Sequence, residues 1–294
     1  MTSSGRNPEK KRAIYGVVGF PVKHSLSPGM HNAAFKSLGI KATYLAFEVK
    51  PEDLPEFLKY VNSSGIAGLN LTVPHKEIAY KCLRNFSSEA KSTGTVNTIT
   101  NRGGKLHGDS TDAHGLLASL KEEFNIRTFK NKTILLLGAG GAAFAVAEKL
   151  ALSGIKTLYV ANRTLEKADK LTQKTERATG VKCVALPLDA KAVSAIIADV
   201  DILINATSAG LKRGVKSPIP AASLRKGLFV YDMIYNPPLT ALLKEAKKAG
   251  AKTSNGLGML LHQGAKSFSI WTGKKAPLNV MRNALKKATH HPCK

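Results

Sequence analysis

One stretch of the chain, residues 133–164, constrains the fold more than any other. It opens with the apolar run Thr133–Leu137, which is typical of a strand buried inside a parallel sheet. The turn Gly138-Ala139-Gly140-Gly141-Ala142-Ala143 follows directly and fits the G-x-G-x-x-G/A pattern of dinucleotide-binding turns. In that pattern the first glycine permits a tight turn, the second lets a pyrophosphate approach the backbone, and the small last residue lets the helix pack on the strand.

The residues after this turn provide the context that the pattern requires. A helix is predicted from the turn to about Leu152; it ends at Gly154 and is followed by a second strand at Thr157–Ala161. The N-terminus of the helix would present unpaired N–H groups and a partial positive charge to the pyrophosphate. We therefore predict a dinucleotide-binding α/β unit whose phosphate contacts come from Gly138, Ala139, Gly140, Gly141 and Ala142.

The end of the second strand indicates which dinucleotide binds. An NAD site usually has Asp or Glu about 20 residues after the glycines, where a carboxylate accepts hydrogen bonds from the ribose. This chain has Asn162-Arg163-Thr164 there instead. A guanidinium can bind a 2′-phosphate through two hydrogen bonds, assisted by amide and hydroxyl donors, whereas a carboxylate would repel it. The sequence favours NADP; the alternative is that Arg163 is a solvent-exposed residue after a strand.

The composition limits the class of protein. A chain of 294 residues, 43% of them hydrophobic, is long enough for two modest folded domains. Its cysteines, Cys82, Cys183 and Cys293, are widely spaced without a C-x-x-C pattern, so we expect neither a disulfide framework nor a metal site. A reducing cytoplasm is the simplest location, since residues 1–12 lack an apolar signal core and no apolar run is long enough to span a membrane.

The charge balance is strongly basic, with 44 Lys and Arg against 20 Asp and Glu and a formal net charge of +24. Such a balance can indicate nucleic-acid binding. Here, however, the basic residues are spread along the whole chain, without a long block and with few aromatic residues interleaved for base stacking. We interpret the charge as a solvated surface that also steers anionic ligands into a cleft, and we predict no specific nucleic-acid partner.

Strand-like and helix-like segments alternate along the chain, which predicts α/β layers with parallel sheets. In the first part we expect strands at 14–19, 43–49 and 68–73, helices at 29–38, 51–62 and 74–83, a hairpin of 97–101 with 105–109, and a helix at 113–124. In the second part we expect further strands at 200–205 and 228–233 and a helix at 239–249. The tail after Gly256 has a helical pattern and can pack back on the first part.

Two hydroxyl-bearing residues, Ser25 and Ser27, lie on the loop after the first predicted strand. In an extended loop, a spacing of two places both hydroxyls on one side, where they can bind a carboxylate or a polyol. They are equally suited to be turn and N-cap residues before the following helix. The residues alone leave both interpretations open.

A second polar segment, Asn70–Lys76, leaves the carboxyl end of a predicted strand, where open α/β sheets place their ligands. Lys76 is therefore a candidate for proton transfer, and Asp112, at the next strand-to-helix junction, is its obvious carboxylate partner. The alternatives are a surface lysine, as most lysines of this chain are expected to be, and an aspartate that caps a helix.

Taken together, the motifs resemble those of the shikimate dehydrogenase family over essentially the whole chain. Any one of them would be weak evidence, but nine in this order are specific. The matching segments are Ser25-Leu26-Ser27-Pro28, Asn70–Lys76, Gly94–Thr98, Thr111-Asp112, Gly138–Ala143, Asn162-Arg163-Thr164, Asn205–Ser208, Asp232–Pro237, and Gly256–Leu260 with Gln263.

The resemblance implies a reversible, NADP-linked oxidation of the shikimate 3-hydroxyl to 3-dehydroshikimate, a step of chorismate and aromatic amino acid biosynthesis. It implies that Lys76 and Asp112 form the catalytic pair and that Asn162, Arg163 and Thr164 bind the 2′-phosphate. The residues that would hold the substrate are Ser25, Ser27, Thr72, Asn97, Tyr235 and Gln263. Those that would lie beside the nicotinamide are Thr207, Ser208, Met233 and Gly256.

The fold that the resemblance implies is an N-terminal α/β substrate domain joined to a Rossmann-type doubly wound NADP domain, with a cleft between them. Residues 1–112 and 256–294 would form the first domain, its C-terminal helices packing back, and residues 113–255 the second. The expected assembly is a monomer or a homodimer.

Three alternatives share parts of this pattern. A quinate or dual quinate/shikimate dehydrogenase using NAD(P) has the same scaffold, but its NAD-using members tend to place an acidic residue near the position of Thr164. A basic nucleic-acid-binding protein could retain only the fold. A catalytically silent nucleotide sensor is expected to have lost Lys76 or Asp112, and both are present.

Overall fold

The computed structural model describes residues 12–212 and 214–290. The outer ends of the predicted substrate domain, at residues 1–11 and 291–294, and with them Cys293, lie outside the described residues. Within the described residues the chain forms two six-stranded sheets, and each sheet has buried apolar clusters on both of its faces.

The first sheet and its helices come from the residues up to 124. They are β1 (Ala13–Gly19), α1 (Ser27–Ser37), β2 (Ala42–Glu48), α2 (Leu54–Ser64), β3 (Ile66–Leu71), α3 (His75–Cys82), β4 (Asn85–Phe86), α4 (Ser88–Thr93), β5 (Thr98–Arg102), β6 (Lys105–Asp109) and α5 (Asp112–Phe124). The strand order is β2-β1-β3-β5-β6-β4. The β1 strand pairs in parallel with β2 and β3, and β5 and β6 form the hairpin that the sequence predicts.

The second sheet follows α5. Its elements are β7 (Thr133–Leu137), α6 (Gly141–Ala151), β8 (Thr157–Asn162), α7 (Leu165–Thr179), β9 (Lys182–Pro187), α8 (Ala190–Ile196), β10 (Ile202–Asn205), β11 (Phe229–Asp232), α9 (Ala241–Lys248) and β12 (Lys252–Asn255), after which come α10 (Leu257–Thr272) and α11 (Leu278–His290). Its neighbours pair in parallel in the order β9-β8-β7-β10-β11-β12. This is the 3-2-1-4-5-6 order of the doubly wound dinucleotide-binding sheet.

The apolar run of β7 shows why this sheet is buried on both sides. Ile134 and Leu136 pack in the cluster that includes residues of α5 and α6, whereas Leu135 and Leu137 pack in the cluster that includes residues of α8 and α9. Because side chains alternate between the faces of a strand, a strand covered twice must be apolar throughout. The continuous apolar run of β7 in the sequence meets this requirement.

The two C-terminal helices return to the first sheet. Leu261 and Phe268 of α10 and Leu285 of α11 share a buried cluster with Val17 of β1 and Phe35 of α1. The α10 helix also packs along α5, the helix that connects the two sheets. The helices α10 and α11 therefore pack on the first sheet, and α10 also contacts the helix that leads into the second.

Several elements lie outside the sequence predictions. The strands β4, β9 and β12 and the helices α4, α7 and α8 were not predicted, and the predicted strand 68–73 ends at Leu71. The two missed strands of the second sheet lie at its edges and carry exposed lysines, Lys182 and Lys252, so they lack the apolar run that marked β7. The early end of β3 releases residues 72–74 as a loop that leads into α3.

Candidate active site

The ammonium of Lys76 and the carboxylate of Asp112 form the centre of the site. Lys76 Nζ donates to Asp112 Oδ2 at 2.7 Å, with 22% of the lysine side chain exposed and 7% of the aspartate side chain. Lys76 stands in the first turn of α3, and Asp112 in the first turn of α5. The pair is thus partly screened from water, with the lysine still reachable from outside.

The start of α3, and with it Lys76, is held by its neighbours. The carbonyl of Lys76 accepts from the N–H of Val96 at 3.0 Å. The adjacent His75 is fully buried, and its Nε2 donates to the carbonyl of Val49 at 2.7 Å. Burial lowers the pKa of His75, against the opposing effect of the Val49 carbonyl, so this ring is neutral and serves as an anchor.

Asp112 is oriented by Asn97 rather than by its own helix. Asn97 Nδ2 donates to Asp112 Oδ1 at 3.0 Å, so the carboxylate uses one oxygen for the lysine and the other for the amide. The Asn97 amide is itself fixed, because its Oδ1 accepts from the N–H of Thr111 at 2.8 Å. No side-chain cap bond is present at the start of α5. The capping alternative for Asp112 is therefore not what the structure shows.

Gln263, on the C-terminal helix α10, joins the same set of hydrogen bonds. It is buried on α10, and its Oε1 accepts from Asn97 Nδ2 at 3.4 Å, while its Nε2 donates to the carbonyl of Leu260 at 3.0 Å. Four predicted site residues, Lys76, Asn97, Asp112 and Gln263, are thus brought into one hydrogen-bonded group.

The two serines of the first loop are placed differently from each other. Ser27 is buried and is the first residue of α1, whose N-cap position is Leu26 without a side-chain cap bond. Ser25 is partly buried, and its Oγ accepts from the N–H of Ser27 at 3.3 Å. The N-cap interpretation is therefore wrong for both serines, whereas a local turn contact is confirmed for Ser25.

Two further predicted substrate residues stand apart from the Lys76–Asp112 group. Thr72 follows β3, where its N–H donates to the carbonyl of Val18 at 2.9 Å and its carbonyl accepts from His75. Tyr235 lies on the loop after β11, and burial raises its pKa. In the described part of the chain, neither side chain hydrogen-bonds to the pair.

The glycine-rich turn forms an open cradle at the start of α6. Gly138 has φ +103°, and a Cβ there would lie 3.0 Å from Thr207 Cγ2, so a side chain would be strained and crowded. A Cβ at Gly140 would meet no atom within 4 Å, so the space in front of the turn is free. The first N–H groups of an α-helix lack partners within the helix. Backbone donors beside open space suit a pyrophosphate.

In the loop after β8, one residue is held by hydrogen bonds and the next is exposed to solvent. Asn162 Oδ1 accepts from the N–H of Ala139 at 3.2 Å, and its Nδ2 donates to the carbonyl of Thr164 at 2.9 Å. Its amide therefore ties the glycine turn to this loop. Arg163 is exposed, and among the described residues its guanidinium has no ion pair or hydrogen bond. The cation is available to a ligand.

The predicted nicotinamide residues lie at the ends of β10 and β11. Thr207 Oγ1 donates to Asn205 Oδ1 at 2.7 Å, and Ser208 beside it is exposed. At the other strand, a Cβ on Gly256 would overlap the carbonyl oxygen of Met233, so only glycine fits where α10 begins. Both segments end at the carboxyl edge of the parallel sheet, where such sheets bind ligands.

The two sheets approach each other across this site. A Cβ at Gly141, the first residue of α6, would lie 3.1 Å from Glu77 Oε1 on α3. Lys174 on α7 donates from Nζ to the carbonyl of Ser92 on α4 at 2.8 Å and lies over the Phe144 ring at 5.8 Å. The glycine turn and the residue next to Lys76 therefore face one another.

The described residues contain no group of three or more His, Cys, Asp or Glu that could hold a metal ion. In the same residues no helix is both long and apolar enough to cross a membrane. The cysteines that the structure describes, Cys82 and Cys183, are free thiols.

Sequence reasoning missed several residues that contact this group directly or through Asn70. Thr98, Ser267 and Tyr44 are buried and join the network behind Asn97, yet none was proposed for the site. Ser267 and Thr98 are 169 positions apart, so no local pattern could connect them. A small polar residue one turn after Gln263 on the same helix was an available signal.

Three family models match the chain. The "Shikimate dehydrogenase substrate binding domain" matches residues 17–99, "Shikimate / quinate 5-dehydrogenase" residues 119–235, and "Shikimate 5′-dehydrogenase C-terminal domain" residues 256–286. Together they account for well over half of the described residues.

Individual relatives agree with these matches. Shikimate dehydrogenase (NADP(+)) of Methanopyrus kandleri is 43% identical over 274 residues, which are 92% of this chain and 94% of that protein. A crystal structure of shikimate dehydrogenase in complex with NADP+ has a TM-score of 0.87 at 42% identity and covers 95% of this chain and 96% of that one. The Thermus thermophilus structure with NADP(H) and shikimate has a TM-score of 0.84 at 38% identity, with 94% and 99% covered.

Proposed function

The chain belongs to the shikimate dehydrogenase family, and from that membership we propose that it catalyses the reversible NADP-dependent reduction of 3-dehydroshikimate to shikimate. It is an oxidoreductase acting on a CH–OH group, with NADP as its cofactor, in the pathway to aromatic amino acids. The observation that carries the assignment to this site is the 2.7 Å Lys76–Asp112 ion pair, which lies beyond the carboxyl ends of β3 and β6.

The residues of the cofactor side fit NADP. The free space at Gly140, the N-terminus of α6 and the unpaired guanidinium of Arg163 supply donors for a pyrophosphate and a 2′-phosphate. When bound, the nicotinamide supplies the hydride acceptor for alcohol oxidation, or the hydride for ketone reduction. Thr207, Ser208 and Met233, at the strand ends, are the residues that we expect beside it.

Lys76 is the group that handles the proton. Its ammonium would donate a hydrogen bond to the oxygen on the reacting carbon, stabilising the alkoxide charge that develops during reduction and then delivering a proton. In the oxidation direction the same nitrogen receives the proton from the hydroxyl. Asp112 holds the lysine by one oxygen and is held through the other by Asn97, so the ammonium is fixed in place.

The remaining polar residues would hold the substrate. We propose that Ser25 and Ser27 bind its carboxylate, since they stand two residues apart at the start of α1 and Ser27 is buried without capping that helix. Thr72, Asn97 and Gln263 would then contact the ring hydroxyls, with Tyr235 on the loop after β11 lining the opposite wall.

We propose the division into domains that the sequence suggested. Residues 1–112 and 256–294 would act on the substrate, and residues 113–255 would hold the cofactor. Two separate six-stranded sheets, together with the return of α10 and α11 to the first, support this division. A cytoplasmic location, a monomeric or homodimeric state and the lack of a specific nucleic-acid partner stay predictions from the sequence.

A spectrophotometric assay tests the function. Purified protein with shikimate and NADP should produce NADPH, and NAD or quinate in place of either should give much lower rates. A quinate dehydrogenase is not favoured, because relatives at 42–44% identity are named shikimate dehydrogenase (NADP(+)). The absence of NADPH formation with shikimate would overturn the proposal.

A further inference from the structure

A buried polar cluster adjoins the Lys76–Asp112 pair through Asn97. It consists of Tyr44, Asn70, Thr98, Thr111 and Ser267, each 4% exposed or less. Polar groups removed from water to this degree require partners inside the protein, because a lost partner leaves a costly unsatisfied donor or acceptor. The pattern of their hydrogen bonds is therefore informative about which way each one points.

Ser267 is the hub of this cluster. Its Oγ donates to the carbonyl of Gln263, one turn earlier on α10, at 3.0 Å. The same oxygen accepts from Asn70 Nδ2 at 2.9 Å, and it lies 2.8 Å from Thr98 Oγ1 and 3.3 Å from Thr111 Oγ1, where either hydroxyl can be the donor. Ser267 thereby holds the Thr98 hydroxyl in place.

The Thr98 hydroxyl connects Ser267 with Asn97. Thr98 Oγ1 lies 2.8 Å from Ser267 Oγ and donates to Asn97 Oδ1 at 3.1 Å. Asn97 Oδ1 also accepts from the N–H and hydroxyl of Thr111, at 2.8 and 3.2 Å. With its oxygen so held, Asn97 presents its NH₂ group to Asp112.

A second chain of hydrogen bonds leads from Ser267 toward the serines that are predicted to bind the substrate carboxylate. Asn70 Oδ1 accepts from the hydroxyl of Tyr44 at 2.8 Å. Burial raises the pKa of Tyr44, and the Ser27 side chain opposes that rise. The buried cluster thus extends from the surroundings of Ser27 to those of Asp112, the two ends between which the substrate would lie.

We propose that Ser267 is a positioning residue for this reaction: it fixes the Asn97 amide, and through it the Asp112 carboxylate, while it holds Asn70 and Tyr44 behind Ser27. The inference rests on the proposed function, since it assigns the pair that Ser267 orients to catalysis. Ser267 touches none of the reacting atoms in this account, so its removal should misplace the pair without abolishing cofactor binding.

The test compares Ser267→Ala with Ser269→Ala. Ser269 lies on the same helix and makes the same kind of bond, from Oγ to the carbonyl of Ala265 at 3.1 Å, but contacts no member of the cluster. For Ser267→Ala we expect kcat to fall about tenfold, with the KM for NADP within about twofold of wild type. The pH profile of kcat should also shift, since the environment of the pair changes. Ser269→Ala should alter neither kcat nor the pH profile.

A second variant protects the test against misfolding. Thr98→Val removes only the hydroxyl that links Ser267 to Asn97, in a side chain of similar shape. If the two residues act as one unit, Thr98→Val and the double variant should lower kcat by about as much as Ser267→Ala alone, far less than the product of the single effects.

The outcomes separate the two hypotheses. Folded Ser267→Ala or Thr98→Val protein with wild-type kcat and an unshifted pH profile would overturn the positioning role while leaving the proposed function intact. A loss of kcat in Ser269→Ala equal to that in Ser267→Ala would also overturn it. Wild-type protein inactive on shikimate would instead overturn the proposed function.

Discussion

On the substrate side of the cleft the candidate catalytic groups are bound by protein side chains, whereas on the cofactor side the groups predicted to contact phosphate are left open. Asp112 uses both carboxylate oxygens on protein partners, and Asn97 uses both ends of its amide. Across the cleft, Arg163 is exposed without a partner among the described residues, and the space at Gly140 is free.

The difference follows from what each side must do. A residue that handles a proton must keep one geometry in each turnover, and internal hydrogen bonds provide that rigidity. A residue that binds a polyanion needs donors without competing partners, because each existing partner must first be displaced. The backbone and one exposed guanidinium meet that need, while the pyrophosphate itself completes the site.

The largest test of this comparison is Lys76→Ala. Because it removes the proton-handling group alone, kcat should fall by about a thousandfold, within the range typical of general acid–base residues. The dissociation constant for NADP, measured by titration calorimetry, should change less than about threefold, since the cofactor groups lie on the other side.

The matched control for this change is Lys81→Ala, in the last turn of the same helix and exposed. It should leave kcat unchanged. If Lys76→Ala weakened NADP binding as strongly as it slowed turnover, the two sides would not be separable in the way that the structure indicates.

The rigid side should also be recognisable in the pH dependence of stability. His31 packs behind it, stacked on Tyr44 with ring centroids 4.4 Å apart, and both of its ring nitrogens lack a partner in the described residues. Burial lowers the pKa of His31 to about 3. Between its ordinary pKa of about 6.5 and that value, the unfolded chain binds a proton that the folded chain does not. The stability associated with neutral His31 is therefore complete above pH 6.5 and is lost as the pH falls.

His31→Phe removes this contribution while keeping an aromatic ring of similar size. Between about pH 6.5 and 5, the unfolding free energy of the wild-type protein should fall by about 2 kcal/mol more than that of the variant, at about 1.4 kcal/mol per pH unit. Urea unfolding at each pH measures the difference. The exposed His24, changed to Phe, should leave the wild-type slope intact; parallel curves for His31→Phe and wild type would show that His31 has no such role.

On the open side, Arg163→Ala should weaken NADP binding by at least about tenfold, because a charge-assisted phosphate contact is lost. NAD binding should be nearly unchanged, since it has no 2′-phosphate. Arg177, exposed in the last turn of α7, is the matched control. Equal losses for both cofactors would mean that Arg163 supports the loop and does not select the phosphate.

The open side was also the more predictable from sequence. Its turn is local: six consecutive residues, 138–143, carry the pattern, and the structure places them at the start of α6 with Gly138 at positive φ. The strand and helix around them were predicted within one or two residues, because a strand covered twice is a continuous apolar run.

The rigid side was predictable only in part. The Lys76–Asp112 partnership was correctly foreseen from the carboxyl ends of two strands. The cluster behind it was not foreseen, because Ser267 and Asn70 are 197 positions apart in the sequence. Tyr44 gave no signal either, since an aromatic residue is common in a strand. Such contacts depend on α10 returning to the first sheet, and the side-chain types in the sequence do not specify which hydroxyl meets which amide.

The smallest expected effect concerns a carboxylate that approaches the open side. Glu77 Oε1 lies 3.1 Å from where a Cβ of Gly141 would be, close to the N–H groups that a pyrophosphate requires. An anion there stabilises the helix terminus but repels a phosphate, so Glu77→Gln should tighten NADP binding about two- to fivefold, with a larger gain at low salt. Glu56→Gln, exposed in the first turn of α2, should change nothing. If Glu77→Gln instead weakens binding, the carboxylate helps to arrange the cradle, and the cofactor side is less open than its unpaired groups indicate.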